Sequence, residues 1–198
     1  LSLLLSIPAS LGLVIASEEI INALFGYGSF SGEDVKITSS ALKYFGYGLP
    51  AFALIKIFSN FFFARNNTKT PFYISLFVVI LNVIISISFF DKFGFIIIPI
   101  ATSISTWVGV ISYIYLLNLK KSLLLKNYLF KSFLKIISST IIMSFFLVQT
   151  LENYTSYLDY TYKFKSIYLL SIVCFAGVIY LLSCYLLGLL KIKNYKVN

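Results

Sequence analysis

Histidine is absent from the 198-residue chain, and charged residues make up only 12% of it. The lack of histidine removes the commonest general base and metal ligand. Soluble domains carry about 25% charged residues, so an ordinary water-soluble domain is excluded. A hydrophobic content of 59% also excludes a disordered chain. The two cysteines lie ten residues apart in one apolar run, which predicts neither a disulfide framework nor a metal site.

Motifs for common catalytic chemistry are also absent. The chain has no GxxxxGK[ST] phosphate loop, no GxSxG nucleophile elbow and no HExxH zinc motif. The sequence therefore predicts no catalytic residue and favours neither an enzyme nor an ATP-driven pump.

Long apolar runs dominate what is present. A bilayer core of about 30 Å requires roughly 20 helical residues. Backbone groups cannot stay unpaired in lipid, and alternating barrel strands are absent, so each run is predicted to be helical. The sequence thus predicts an all-α integral membrane protein with six transmembrane helices. The predicted spans are 1–25, 40–64, 71–90, 95–118, 131–151 and 165–190.

The connections between these spans differ in charge. One set carries ten basic residues and no acidic residue, and it comprises 65–70, 119–135 and the tail after 190. The other set, 26–43, 91–94 and 152–165, carries five of each. The positive-inside rule therefore places the 65–70 turn and the C-terminus in the cytoplasm. The net charge of +9 indicates contact with anionic membrane lipids and not with nucleic acid.

Lys56 is the charged residue that the sequence places deepest in the membrane. It lies nine residues before Arg65, about 13 Å inside at 1.5 Å per residue. An isolated lysine at that depth costs at least about 3 kcal/mol, and no acidic residue of the chain lies at its level. We expect Lys56 to line a cavity that holds an anionic group. The alternative is a lysine held by backbone carbonyls and water near Pro50.

Polar residues also occur inside the third and fourth spans. Asn82 and Ser86 lie one turn apart in the third span, and Thr102 lies at comparable depth in the fourth. Such amides and hydroxyls commonly form hydrogen bonds between helices, which is the favoured interpretation. An oxygen-lined cation site is the alternative.

Two segments carry a resemblance to a known family. The first reads GYGLPAFALIK from Gly46 to Lys56 and continues as FFARNNTKTP up to Pro71. The second has IPA at 7–9 and LFGYGSF at 24–30. Together they resemble the MurJ/MviN family of lipid II flippases, in the multidrug/oligosaccharidyl-lipid/polysaccharide exporter superfamily. Tyr27 stands where that family usually has arginine, and Asn67 stands where it has aspartate.

The resemblance implies a part of a fourteen-helix transporter with two six-helix lobes and two additional helices. Residues 1–118 correspond to four helices of the second lobe, and 131–198 correspond to the two additional helices and a basic tail. Residues 119–130 are expected to form a basic amphipathic connector on the cytoplasmic surface. A preceding N-terminal lobe of the same chain is the implied partner.

The resemblance also implies a function and roles for residues. The substrate is a peptidoglycan precursor on undecaprenyl pyrophosphate, moved across the bacterial inner membrane by alternating access. Lys56 contributes to the substrate cavity, whereas Arg65 and Lys69 belong to the cytoplasmic turn. No cofactor is implied, and the driving force is the membrane potential or an ion such as Na⁺. Asn82 and Thr102 match cation-site positions of relatives, but Ser86 replaces a carboxylate.

Other functions stay open on the sequence alone. A polysaccharide-lipid flippase or a cation-coupled drug exporter of the same superfamily is one alternative. A non-transporting membrane scaffold for cell-wall synthesis is another.

Overall fold

The computed structural model of the chain describes residues 2–119, 127–154, 158 and 164–189, with the backbone alone for 127–130. These residues form seven α-helices, one short 3₁₀ helix and no strand. In chain order they are α1 (Ser2–Ile15), α2 (Ser17–Phe25), α3 (Gly32–Phe63), α4 (Lys69–Phe93), the 3₁₀ helix (Gly94–Ile96), α5 (Ile97–Leu119), α6 (Asn127–Asn153) and α7 (Lys165–Leu186).

Four helical stretches are long and apolar enough to cross a membrane: α3, Lys131–Asn153 of α6, α7 and the continuous stretch Lys69–Leu119. The last has 51 residues, so as a straight helix it would measure about 76 Å, more than twice the bilayer core. It instead reverses at Gly94, whose φ of 57° is accessible to glycine without strain. Asn82 contacts Thr102, and Val78 lies beside Gly109, so earlier residues of α4 meet later residues of α5 and the two helices run antiparallel. The predicted spans after the first therefore correspond to α3 through α7.

The prediction of one continuous helix for the first span, 1–25, was wrong. Residues 2–25 form two helices that meet at Ala16 with a bend of 74°. The 14 residues of α1 measure about 21 Å, too short to cross the core alone. The acidic pair Glu18 and Glu19 begins the first turn of α2, where a helix N-terminus favours negative charge. A new helix start at this point is therefore favourable.

Two apolar clusters hold the helices together. Phe62, Ile74, Tyr113 and Leu117 join the end of α3 to α4 and α5. The other cluster joins α1 and α2 to α6 and α7, and its members include Leu147, Leu169 and Cys184. Because α1 and α2 also pack on α3, they connect the two clusters.

Parts of the predicted organisation lie outside the described residues. Leu119 is the last residue of α5, and the backbone of 127–130 already belongs to α6. The rest of the predicted connector 119–130 and the basic tail after 190 are not described.

Candidate functional site

Lys56 lies on the exposed side of α3. Phe52, Asn60 and Phe63 are exposed on the same side, because steps of three or four residues repeat one helix face. The opposite side of α3 packs on its neighbours, where Ala51 is fully buried. Lys56 forms no hydrogen bond or ion pair with another described residue. Its ammonium is therefore available to groups outside the described chain.

The backbone carbonyls near Pro50 do not hold Lys56. Proline has no N–H, so Pro50 leaves the carbonyl of Gly46 without its helical donor. The Ser10 hydroxyl of α1 donates to this carbonyl at 2.7 Å. Among the described residues, Lys56 is therefore not held by carbonyls near Pro50, which was the alternative considered from the sequence.

A second proline produces the same arrangement on the other side of α1. Pro8 leaves the carbonyl of Leu4 without its helical donor. The Tyr180 hydroxyl of α7 donates to that carbonyl at 2.6 Å. Helix α1 is thus fixed to α3 through one free carbonyl and to α7 through the other.

We predict that Ser10→Ala destabilises the protein only while Pro50 is present. The change leaves the Gly46 carbonyl unpaired and should cost about 1 kcal/mol. In a Pro50→Ala background the N–H of residue 50 can bond to this carbonyl, so the cost should fall towards zero. Thermal unfolding of the four variants of this cycle in detergent measures the coupling.

The control is Ser138→Ala, because Ser138 is exposed and its hydroxyl bonds only a carbonyl of its own helix. Equal costs for Ser10→Ala in both backgrounds would contradict the proposed role of the free carbonyl.

The turn after α3 has a defined backbone geometry. Asn66 has a φ of 54°, and the N–H of Asn67 donates to the Phe62 carbonyl at 3.0 Å. The Asn66 N–H donates to the Phe63 carbonyl at 2.9 Å, which completes a Schellman motif. The Asn67 side chain then accepts from the Thr70 N–H at 3.1 Å and caps α4. Asparagine at position 67 therefore still provides the helix cap.

The two basic residues of this turn have different surroundings. The Arg65 guanidinium stacks over the Phe61 ring, 4.0 Å from its centroid. Lys69 is exposed and lines a cleft of about 550 Å³ between the end of α3 and the start of α4, which we name the turn cleft. The structure brings neither residue into contact with Lys56, which lies more than two helical turns from Arg65 along α3 and its C-terminal turn.

Asn82, Ser86 and Thr102 are brought together by hydrogen bonds. The Asn82 amide donates to the Thr102 hydroxyl at 2.9 Å and links α4 to α5. Ser86 donates to the Asn82 carbonyl oxygen at 3.4 Å. The Thr102 hydroxyl donates to the Ile98 carbonyl of its own helix at 2.8 Å. No carboxylate takes part in these contacts.

The structure contains a fully buried lysine that the sequence did not predict. Lys165, the first residue of α7, has 0% exposure. Its ammonium donates to the Gly26 carbonyl at 2.7 Å and to Asn22 Oδ1 at 3.0 Å. It also lies 4.2 Å from the centroid of the Tyr27 ring. Lys165 and Ser166, which donates to the Ala23 carbonyl at 2.7 Å, thus cap the C-terminus of α2 from another helix.

The sequence gave only a weak signal for this contact. Lys165 was assigned to a connection with balanced charge because it stands at the boundary of an apolar run. Two of the groups that it meets, the Gly26 carbonyl and the Asn22 amide, lie about 140 residues away and carry no charge that would indicate a pair.

Comparisons with known proteins all point to one family. The profile described as "Lipid II flippase MurJ" matches residues 1–170. A "Probable lipid II flippase MurJ" of Rickettsia prowazekii is 34% identical over 197 residues, which cover 98% of this chain and 38% of the relative. The "Lipid II flippase MurJ" of Thermosipho africanus is 36% identical over 149 residues, 75% of this chain and 30% of the relative.

A solved structure titled "Lipid II flippase MurJ, inward closed conformation" superposes with a TM-score of 0.74 at 28% identity. The match covers 93% of this chain and 36% of the solved chain. This chain therefore spans less than two fifths of the length of the relatives that it matches.

Proposed function

Since the chain belongs to the lipid II flippase MurJ family, we propose that it is the part of a flippase that follows an N-terminal lobe and corresponds to spans nine to fourteen. The complete protein would move a lipid-linked peptidoglycan precursor across the membrane by alternating access. The chain is a multi-pass membrane protein. In this proposal it is a transporter and not an enzyme.

The exposed ammonium of Lys56 is the observation that carries the proposal. A lysine in a membrane helix without a partner is costly, so it must face protein, water or a bound anion. Its side of α3 is uncovered in the described residues. In this proposal the N-terminal lobe would close the cavity on that side. A pyrophosphate in that cavity would supply the missing negative charge.

The orientation and the driving force complete the proposal. The basic 65–70 turn and the C-terminus would lie in the cytoplasm of a bacterial cell, with the protein in its inner membrane. Residues 1–118 would belong to the second lobe, 119–130 would lie on anionic lipids, and 131–198 would form the additional helices and tail. The membrane potential or an ion gradient would drive the cycle.

We assign Asn82, Ser86 and Thr102 to helix packing and not to a cation site. The Asn82 amide nitrogen and not its oxygen meets Thr102, so a donor occupies the position where a cation would need an acceptor. A cation there would also require compensation of its charge, and none of the three residues is acidic.

Variants of Lys56 test the proposed function. We expect Lys56→Glu, in the complete gene product that contains this segment, to abolish complementation of a flippase-depleted strain. Lys56→Ala should reduce transport at least tenfold, and Lys56→Arg should retain most of it, because the arginine keeps the charge. Lipid II exposure on the outer leaflet is the direct measurement.

The matched control is Lys36→Glu, an exposed lysine near the start of the same helix. All variants should be present in the membrane at normal levels. Full activity of both Lys56→Ala and Lys56→Glu would contradict the cavity role and favour a non-transporting scaffold.

A further inference from the structure

The turn cleft combines one positive charge with an aromatic wall. Ser59 and Phe63 of α3 form one side, and the first turns of α4 form the other. The lining residues from the α4 side are Thr68, Lys69, Pro71, Phe72, Tyr73 and Ser75. Lys69 is the only charged residue among those that line the cleft.

The charge of Lys69 is not balanced by acidic residues nearby in the sequence. No aspartate or glutamate occurs between Asp34 and Asp91, a segment that contains the whole turn and both flanking spans. Arg65 adds a second positive charge four residues before Lys69. The local field therefore favours an anion, and lysine is a common point-charge ligand for phosphate.

The walls of the cleft favour an anion that carries an apolar chain. Phe63, Phe72 and Tyr73 are 48%, 63% and 65% exposed, so their rings present apolar surface. Ser59 also lines the cleft, and its hydroxyl forms a 2.9 Å hydrogen bond with the Tyr113 hydroxyl. A free phosphate would use only the lysine, whereas a lipid-linked phosphate would use the lysine and the rings.

The cleft also lies on the same side of α3 as Lys56. Ser59 and Phe63 are three and seven residues after Lys56, which are spacings of one helix face. Phe63 is therefore about 10 Å from Lys56 along the helix axis. The exposed Asn60 lies between Lys56 and Phe63 and gives this face a polar side chain there.

We propose that the turn cleft is an entry subsite, in which Lys69 binds the phosphate of the lipid-linked precursor before the phosphate reaches Lys56. This inference rests on the proposed function and assigns to Lys69 a role in initial binding. The aromatic rings hold the first part of the polyprenyl chain. Lys56 acts later, deeper in the membrane.

Binding of undecaprenyl pyrophosphate to the complete protein in detergent, followed by native mass spectrometry, tests this subsite. We expect Lys69→Glu to weaken binding at least tenfold and Lys69→Arg to preserve it. Lys92→Glu, an exposed lysine at the other end of α4, should change binding less than twofold. Equal binding by Lys69→Glu and the unmodified protein, or equal losses for Lys69→Glu and Lys92→Glu, would overturn the proposal.

The lipid part of the ligand is tested separately. Phe72→Ser should weaken undecaprenyl pyrophosphate about fivefold and leave inorganic pyrophosphate unchanged. Phe95→Ser, at an exposed phenylalanine beyond the other end of α4, is the control and should alter neither ligand. Inorganic pyrophosphate that binds as tightly as the lipid would overturn the choice of a lipid-linked ligand.

The outcomes separate this inference from the proposed function. Loss of transport in Lys56→Glu with unchanged binding in Lys69→Glu would overturn the entry subsite alone. Full transport in Lys56→Glu would instead contradict the proposed function.

Discussion

Replacing Lys165 by glutamate is expected to detach α7 from α2 and to prevent stable folding of the C-terminal helix pair. The ammonium is fully buried between the Gly26 carbonyl and Asn22 Oδ1. A carboxylate in this buried position would face the same two acceptor oxygens. Reversing a buried charge in this way should cost more than the 3–5 kcal/mol typical of a broken buried ion pair.

Lys165→Met nearly keeps the side-chain volume and removes the charge together with its hydrogen-bond donors. Two acceptors then lose their donor, and the expected cost is about 1–3 kcal/mol. Thermal unfolding of the complete protein in detergent ranks the variants. Lys36→Met changes an exposed lysine and should leave the melting temperature unchanged. A melting temperature of Lys165→Met equal to that of the unmodified protein would show that the cap contributes nothing to stability.

The second large effect is expected at Gly48, where α3 approaches α5 closely. A Cβ at this position would lie 2.6 Å from Ser103 Oγ and 3.2 Å from Ser103 Cα. Ser103 cannot simply rotate, because its hydroxyl donates to the Tyr44 carbonyl at 2.6 Å. Gly48→Ala must therefore separate the helices or break that bond, and should destabilise the protein by about 1–3 kcal/mol.

Gly177→Ala is the matched control, since nothing lies within 4 Å of a Cβ there. Alanine is the better helix former, so this change should be neutral or stabilising by up to about 1 kcal/mol. Gly48→Ala combined with Ser103→Ala should recover part of the loss, because the nearest clashing atom is then absent. The same melting temperature for Gly48→Ala and Gly177→Ala would contradict the close approach.

The helical architecture could be predicted because hydropathy and length suffice for it. An apolar run of about 20 residues has one stable structure in lipid, so α3 to α7 follow from composition. The break at Ala16 could not be derived in the same way. Hydropathy does not show where a helix bends, and the acidic pair at the start of α2 gave the only signal.

The candidate site was predictable only in part. Lys56 is singled out by the sequence because it is a charge inside an apolar run, and Lys69 is singled out by the family resemblance; the roles of both residues stay predictions. The burial of Lys165 could not be predicted, because the Gly26 carbonyl and the Asn22 amide that it meets are neutral and distant in sequence. The family resemblance places an arginine at position 27, and the structure instead places the Lys165 ammonium 4.2 Å from the Tyr27 ring centroid. A positive charge is thus present at this loop, supplied by another helix.

The two proline-containing helices also determine how far α1 can slide. Each proline frees one particular carbonyl. The hydroxyls of Ser10 and Tyr180 can therefore each donate to a freed carbonyl at only one axial position of the facing helix. A shift of α1 by one turn, about 5.4 Å, would separate both pairs at once. Two helices that meet only through uniformly apolar surfaces would not fix each other at one axial position. Helix α1 can therefore tilt or rotate with its neighbours, whereas movement along its axis would break these two hydrogen bonds, at a cost of about 1 kcal/mol each.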